Sequence, residues 1–431
     1  MRTHAIVLGP MVLLAGLAFA ACGESSDGTG GGGGEAREPA CVEGATREAA
    51  CGLNDRGTLE ERCVDDAWEA LACEDPDECV DDVVDRTEFC DRRCEAGAWV
   101  DVPCAPVQLS VGTEQACAVL SSGRVACWGE DVTPTLLENV HDVVQVAVTG
   151  GPVCTLHADG AVRCVGEDWD KCASHGGCTE ISKGLCMLTE DREVWCTGWV
   201  GWDARPVVAR VRGLHGPIAL RSEGKVTLSS VGGTKLEEAG RSCAIESGGG
   251  VHCWSHRALG GGGWGVPAYL DAEEVPELDG VIDLDVGGDA GSICAVLDSG
   301  GVVCTRIPPD EAIAPRDDLP TSHRVRRGHY HSCALSLSGE VWCWGDNSAG
   351  QLGQGHTDPV GGAPRVVGLD QVVEIDADAS SGALCGFPGT IESKTTCALR
   401  ENGEVWCWGN NFGVCGTTSP LPVRVPLRGG R

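Results

Sequence analysis

The sequence predicts an all-β protein, a β-propeller preceded by a small disulfide-rich module, and three observations carry that reading. A cysteine is followed ten positions later by another seven times in the 431 residues: Cys117 and Cys127, Cys154 and Cys164, Cys186 and Cys196, Cys243 and Cys253, Cys294 and Cys304, Cys333 and Cys343, Cys397 and Cys407. Glycine and valine recur at fixed offsets inside these pairs. The chain also holds 63 glycines and shows no long helical periodicity, which leaves strands and turns as its structural units.

The amino-terminal residues read as a targeting segment: Arg2, an apolar run from Ala5 to Ala20, then small residues before Cys22. The run is too short for a stable membrane span. Cleavage at a small-x-small site over Ala18 to Ala20 competes with a lipoprotein box ending at Cys22. Cysteine arithmetic favours the second. Of 27 cysteines, eight lie between Cys41 and Cys104, fourteen form the ten-residue pairs, and Cys172, Cys178, Cys385 and Cys415 make two further pairs, Cys172–Cys178 and Cys385–Cys415. Cys22 alone is left without a protein partner, so residues 1–21 are expected to be a lipoprotein signal peptide and Cys22 the lipid-carrying amino terminus. Residues 22–40, with Ser25, Ser26 and glycines 30–34, suit a flexible tether.

Residues 41–105 are cysteine-dense, acidic and poor in aliphatics, so burial alone could not hold them together. The spacing of Cys63, Trp68 and Cys73 repeats in Cys94, Trp99 and Cys104, and each trio follows two more cysteines, Cys41 and Cys51 or Cys79 and Cys90. Two four-cysteine modules, each with a tryptophan on its disulfides, are expected, their internal pairing left open. Zinc at Cys90 and Cys94 lacks a second close pair and any histidine. Calcium at Asp75, Asp77, Glu78, Asp81 and Asp82 lacks the spaced ligand loop with a central glycine.

From residue 106 to 431 the repeats take over. Each ten-residue spacing fits a β-hairpin with a three-residue loop, which sets the two cysteines opposite each other within disulfide reach. The last loop position calls for a left-handed residue and holds Gly123, Gly160, Gly249, Gly300, Gly339 and Gly403; Arg192 breaks the rule. The same register opposes aliphatics on the cysteine face, from Val119 with Val125 to Leu399 with Val405. Ile218 to Leu228 has the frame of an eighth hairpin without sulfur, with Gly224 and Val226 in the expected places and Leu220 opposite Val226. Short alternating stretches such as Val143 to Val148 precede the hairpins. Strand after strand without intervening helix indicates blades arranged radially. The segment Pro420 to Leu427 is expected to supply an outer strand closing the ring against the first blade.

Cys333, Ala334, Leu335, Gly339, Val341, Cys343, Trp344, Gly345, Asn347, Gly350, Gln351, Leu352 and Gly353 resemble the repeat of the regulator of chromosome condensation family. Cys397 to Asn410 repeats most of that pattern and Cys117 to Gly129 a shorter part. The resemblance implies a seven-bladed propeller with four strands per blade, whereas the eight hairpin frames allow eight units. Its function transfers less well, because no exchange-factor residue can be matched onto this chain.

The net charge of −32 repels phosphate backbones and argues against nucleic-acid binding. Twenty-six cysteines besides Cys22 suit an oxidising compartment. His329 and His331 could ligate a metal from one strand face, but a packed strand histidine is the simpler account. Arg324, Arg326 and Arg327 form the basic cluster of the propeller and could bind a carboxylate. With Tyr330 they suggest a sialidase, whose aspartate boxes are absent. Trp128, Trp195, Trp254, Trp342, Trp344, Trp406 and Trp408 sit at repeat positions and read as blade packing; Trp199, Trp202 and Trp264 fall between hairpins, where indoles could stack on sugars or anchor a protein.

The expected function is a non-catalytic, lipid-anchored extracytoplasmic scaffold for protein–protein interaction, with no cofactor, no catalytic residue and no metal. Trp264 and Tyr269, in the long interval from Cys253 to Cys294, are the candidate partner surface, which that interval and the one from Cys343 to Cys397 are expected to frame. A secreted inhibitor of an enzyme, a carbohydrate-binding surface protein and, by family analogy alone, a guanine-nucleotide exchange factor are the alternatives. The expected location is the bacterial cell envelope, facing outside the cytoplasm, or the medium if Cys22 carries no lipid. The membrane is reached through that lipid only.

Overall fold

The computed structural model describes residues 45–51, 57–64, 67–74, 84–85, 92–101 and 104–427, except 113–114, 130–132, 149–152, 165–166, 170–171, 173–175, 185, 201–204, 223–226, 232–233, 239–240, 256–268, 288–291, 306–312, 379–380, 383–390, 393 and 411–417. Cys22, the tether, Cys90, the acidic run 75–82, Cys385, Cys415, Trp202 and Trp264 lie outside the described residues. Two compact units divide between Asp77 and Glu78. Among the described residues no helix is long and apolar enough to cross a membrane.

In the first unit, strands Thr46–Cys51, Gly57–Val64 and Ala67–Glu74 form an antiparallel sheet with Cys63 opposite Trp68. Arg47 lies 4.3 Å over the Trp68 ring. The second unit begins with a smaller copy of this motif, Val84–Asp85, Arg92–Glu95 and Ala98–Asp101, where Cys94 again faces a tryptophan, Trp99. Cys63, Cys94 and Cys104 are disulfide-bonded.

The rest of the second unit is a seven-bladed β-propeller. Its inner strands are Pro106–Val111, Val143–Val148, Cys178–Ile181, Pro217–Ser222, Val281–Gly287, Ser322–Arg327 and Val372–Ala377, and each is followed outward by one cysteine hairpin. All seven hairpins have the register that opposes cysteine to cysteine: Cys117↔Cys127, Cys154↔Cys164, Cys186↔Cys196, Cys243↔Cys253, Cys294↔Cys304, Cys333↔Cys343 and Cys397↔Cys407. Each pair is disulfide-bonded with Cα atoms 4.0–4.1 Å apart, and Cys172–Cys178 is bonded as well. The turns need a left-handed third residue whichever side chain supplies it. Gly123 has φ +77°, and Arg192 takes φ +60° in the same place.

The opposed aliphatics fill the spaces between blades. Val119, Val125 and Cys117 of the first blade pack with Val143, Val146 and Val148 of the second. Leu399, Val405 and Cys407 of the last pack with Leu109, Ala118 and Leu120 of the first, which closes the ring.

One expectation about the blades needs correction. Ile218 to Leu228 is not an eighth hairpin. Pro217–Ser222 is the inner strand of the fourth blade and pairs with Arg241–Glu246, Leu220 opposing Ala244. Thr227–Val231 pairs with Thr234–Glu238 in a separate two-stranded excursion. The short interval before Cys243 therefore belongs to one blade, and the count is seven. The closing strand Thr418–Val425 supplies the outer strand of the last blade, hydrogen-bonded to Val405–Asn410. It meets the first blade through packing, since Val425 and Leu427 share the core cluster of Leu109 and Trp128.

Each ten-residue staple closes a short loop and should stabilise by about 2 to 3 kcal/mol in the chain-entropy picture. Non-reducing peptide mapping is expected to recover every repeat cysteine linked to its hairpin partner. Free thiols in material from the native compartment would remove the argument for an oxidising environment.

Candidate functional site

The seven inner strands share a common register, and their side chains build the central channel. A β-bulge separates the first and third residues of six of these strands and also follows Cys178 in the other. The bulged second residue is exposed: Val107, Val144, Ile218, Ile282 and Val373 are each about half accessible. These five aliphatics hold the same place near the start of their strands, an apolar collar on one face of the disc. The short cysteine turns leave the disc on that same face, by strand polarity, and the long connections leave the other.

In five of the seven strands the third residue reaches sideways to the next blade. The Val146 N–H donates to Gln108 Oε1 (2.8 Å), the Ile181 N–H to Gln145 Oε1 (2.9 Å), the Leu220 N–H to Glu180 Oε2 (3.0 Å), and the Val325 N–H to Asp283 Oδ2 (2.9 Å). At the ring closure the Leu109 N–H donates to Glu374 Oε2 (3.1 Å) and the Val111 N–H to Asp376 Oδ2 (2.6 Å). These clamps explain why polar residues stand in otherwise aliphatic strands: each satisfies a buried backbone donor that its own sheet leaves over. Two blades break the series. Ala219 and Arg324 hold the third position in the fourth and sixth blades, and neither side chain can accept a hydrogen bond.

Cations from the fifth and sixth positions tie the layer together. Arg221 bonds Glu180 and Asp283, both at 2.9 Å; Arg326 bonds Asp283 at 2.8 Å. Lys183 crosses to the last blade, 2.6 Å from Asp376, and donates to the Ala377 carbonyl (2.9 Å). A cavity of about 210 Å³ remains, lined by Gln108, Gln145, Glu180, Lys183, Arg221, Asp285, Arg324, Arg326, Glu374 and Asp376 among others.

Burial sets the protonation of this layer. It pushes Glu180 up against the pull of Arg221 and the Leu220 N–H, and it raises Asp285 against Arg326 and Lys183. Burial alone would lower Arg221, but Asp283 and Glu180 hold its proton firmly. Glu374 is pushed from 4.5 up to about 7 by burial, opposed by Arg324 and Arg326 and helped by the like charge of Asp376. Because the folded value exceeds the unfolded one, the stability this group contributes is complete below about pH 4.5 and is lost as pH rises through about 7. That amounts to roughly 3 kcal/mol. Glu374→Gln keeps an acceptor for the Leu109 N–H, as Gln108 does for its neighbour, and is expected to flatten urea-midpoint stability between pH 5 and 7.5. An unchanged slope would place the titration elsewhere.

The other candidates are dispersed. Arg324 and Arg326 line the cavity, while Arg327 Nη1 donates to Cys294 Sγ at 3.0 Å. His329 and His331 do not share a strand face: His331 begins the strand His331–Ser336, fully buried against Thr396 Oγ1 (2.6 Å), and His329 stands in the preceding turn, edge-on to Tyr330. Burial drives the His331 pKa down to about 3. Among the described residues no group of three or more His, Cys, Asp or Glu could hold a metal. Trp128, Trp254, Trp344 and Trp408 are buried. Tyr269 is exposed on an edge strand, Tyr269–Asp271, that runs parallel to the outer strand of the third blade; Arg212 lies 4.6 Å over its ring. The clamp and cavity residues were missed by sequence reasoning, apart from Arg324 and Arg326.

The family model described as Regulator of chromosome condensation (RCC1) repeat matches residues 328–351 and 393–416, in the sixth and seventh blades. Two of the seven blades thus carry the sequence of that repeat. The chain is 27% identical over 359 residues to the mouse E3 ubiquitin-protein ligase HERC2, an alignment covering 74% of the chain and 6% of HERC2. It is 38% identical over 106 residues to human Protein RCC2, covering 23% of the chain and 18% of that relative. Among solved structures it is similar to yeast RCC1 (Prp20) bound to Kap60, with 14% identity, 74% of each chain covered and a TM-score of 0.40. Human WBSCR16 shows 14% identity over 76% of this chain and 83% of its own, also with a TM-score of 0.40.

Proposed function

We propose that this protein is a non-catalytic scaffold, anchored by a lipid on Cys22 outside the cytoplasm, that presents its stapled propeller to a protein partner. The apolar collar carries the reading. Five of seven blades place an exposed aliphatic at the same bulge on one face of the disc, where a single scattered residue would need no explanation. RCC1-repeat relatives are consistent with a protein partner, and seven hairpin disulfides suit an oxidising compartment.

Exchanging Ile218 and Ile282 together for serine should weaken capture of envelope proteins by the purified propeller at least tenfold while leaving its unfolding temperature within a few degrees. The paired variant Trp264→Ala, Tyr269→Ala tests the outer edge in the same assay. If both variants capture as the parent does, or a glycan array binds instead, the protein-scaffold reading is wrong. Cys22→Ser is expected to move the protein from the membrane fraction to the soluble one with its fold intact, because anchor and propeller are separated by the tether. Retention on membranes through detergent-free washing would refute the lipid anchor.

A further inference from the structure

We propose that the channel cavity is a binding site for a small carboxylate, held by Arg324 at the junction of the sixth and seventh blades. Four cations line the cavity. Three are committed: Lys183, Arg221 and Arg326 each have a carboxylate oxygen within 2.9 Å. Arg324 differs. Its side chain is about one-third exposed, its carboxylate neighbour is Glu374 at 3.8 Å, and among the described residues no hydrogen bond engages its guanidinium. A guanidinium in that state offers paired donors in the fork geometry that a carboxylate matches bidentately.

The register strengthens the assignment. Arg324 stands where Gln108, Gln145, Glu180, Asp283 and Glu374 each accept a backbone N–H from the following blade. By the same register the following blade offers the Ile375 N–H, to which Arg324 has no acceptor to give. The chain forgoes this clamp at two of its seven junctions, with Ala219 and with Arg324, and at the second it places a cation, the kind of local departure that marks function in an otherwise consistent repeat. Burial and the like charge of Arg326 and Arg221 act on the Arg324 charge against the pull of Asp283 and Glu374, and an arriving anion adds to that pull. The cavity of about 210 Å³ equals the share of roughly seven liquid waters, enough for acetate or a four-carbon dicarboxylate.

The test is titration calorimetry of the purified protein with acetate, succinate and citrate at constant ionic strength, chloride serving as the control anion. Succinate or acetate is expected to saturate one site. Arg324→Gln is the decisive variant, because it installs the side chain that Gln108 and Gln145 use to clamp the next blade. It should fold at least as stably as the parent and bind carboxylate at least tenfold more weakly. Arg324→Lys keeps the charge without the fork and should bind with intermediate affinity. Failure of every small carboxylate to saturate, or equal binding by the folded Arg324→Gln protein, would overturn the site. Peptides with free and amidated carboxyl termini form a further arm: binding of the free-acid peptide alone, with none of the small acids, would assign the junction to a polypeptide end and likewise overturn the small-ligand proposal.

Discussion

Asp283→Ala should destabilise the propeller by about 3 to 5 kcal/mol, the usual cost of removing one partner from a buried charge network. Its carboxylate accepts from the Val325 N–H at 2.9 Å, from Arg221 at 2.9 Å and from Arg326 at 2.8 Å, so one side chain joins the fourth, fifth and sixth blades. Burial by itself would raise its pKa, yet Arg326, Arg221 and the backbone donor hold it below the ordinary value of 3.8. Its contribution is therefore present at neutral pH and lost on acidification below that value, the opposite sense to Glu374. Alanine would take from Arg326 its close carboxylate and from Arg221 one of two, Glu180 remaining, and would leave the Val325 amide without its acceptor. Asp283→Asn keeps one acceptor oxygen and should cost less, about 1 to 3 kcal/mol. Urea denaturation with the disulfides intact distinguishes them; an alanine variant within 1 kcal/mol of the parent, on the order of one ordinary hydrogen bond, would mean the arginines find other partners and that the layer is not one network.

The hairpins were legible in the sequence because their register is local. Ten residues between cysteines, with a left-handed residue in the turn, leave one antiparallel pairing, and all seven disulfide-bonded hairpins adopt it. The false eighth frame shows the limit of that argument. Ile218 to Leu228 matches the spacing, but Pro217–Ser222 also matches the inner-strand pattern of Pro106–Val111 and Val372–Ala377, and pairing with Arg241–Glu246 across a long insertion is non-local. Aligning inner strands rather than cysteines would have found it. The same alignment exposes the channel: Gln108, Gln145, Glu180, Asp283 and Glu374 are polar at one position of strands whose neighbours are aliphatic. Their partners lie one blade away, up to 265 positions along the chain at the ring closure, so spacing alone carries no trace of them. The collar is hidden for another reason, since a bulge inverts the alternation from which inside and outside are read.

Trp408→Ala is expected to cost about 3 to 5 kcal/mol, the range for truncating a large buried aromatic. Trp408 is fully buried and joins the last blade to the sixth, sharing a core cluster with Leu335, Val341, Leu352 and Val366. Its indole N–H donates to the Gln351 carbonyl at 2.8 Å. That carbonyl belongs to a loop held by Asn347, whose side-chain amide donates to the His356 and Asp358 carbonyls while its oxygen accepts the Leu352 N–H. Gly353, at φ +67°, lets this loop lie against the indole, 3.3 Å from Nε1 to the site of a Cβ. Alanine would therefore open a cavity and leave a buried carbonyl unpaired. Trp408→Phe fills most of the space and forfeits chiefly the hydrogen bond, so its cost should be about 1 to 2 kcal/mol. Trp406, two residues away and only partly buried with its N–H on Glu404, supplies the control: its alanine variant should lose less than half as much. Equal losses at the two positions would show that stability comes from the strand itself and not from the joint between the sixth and seventh blades.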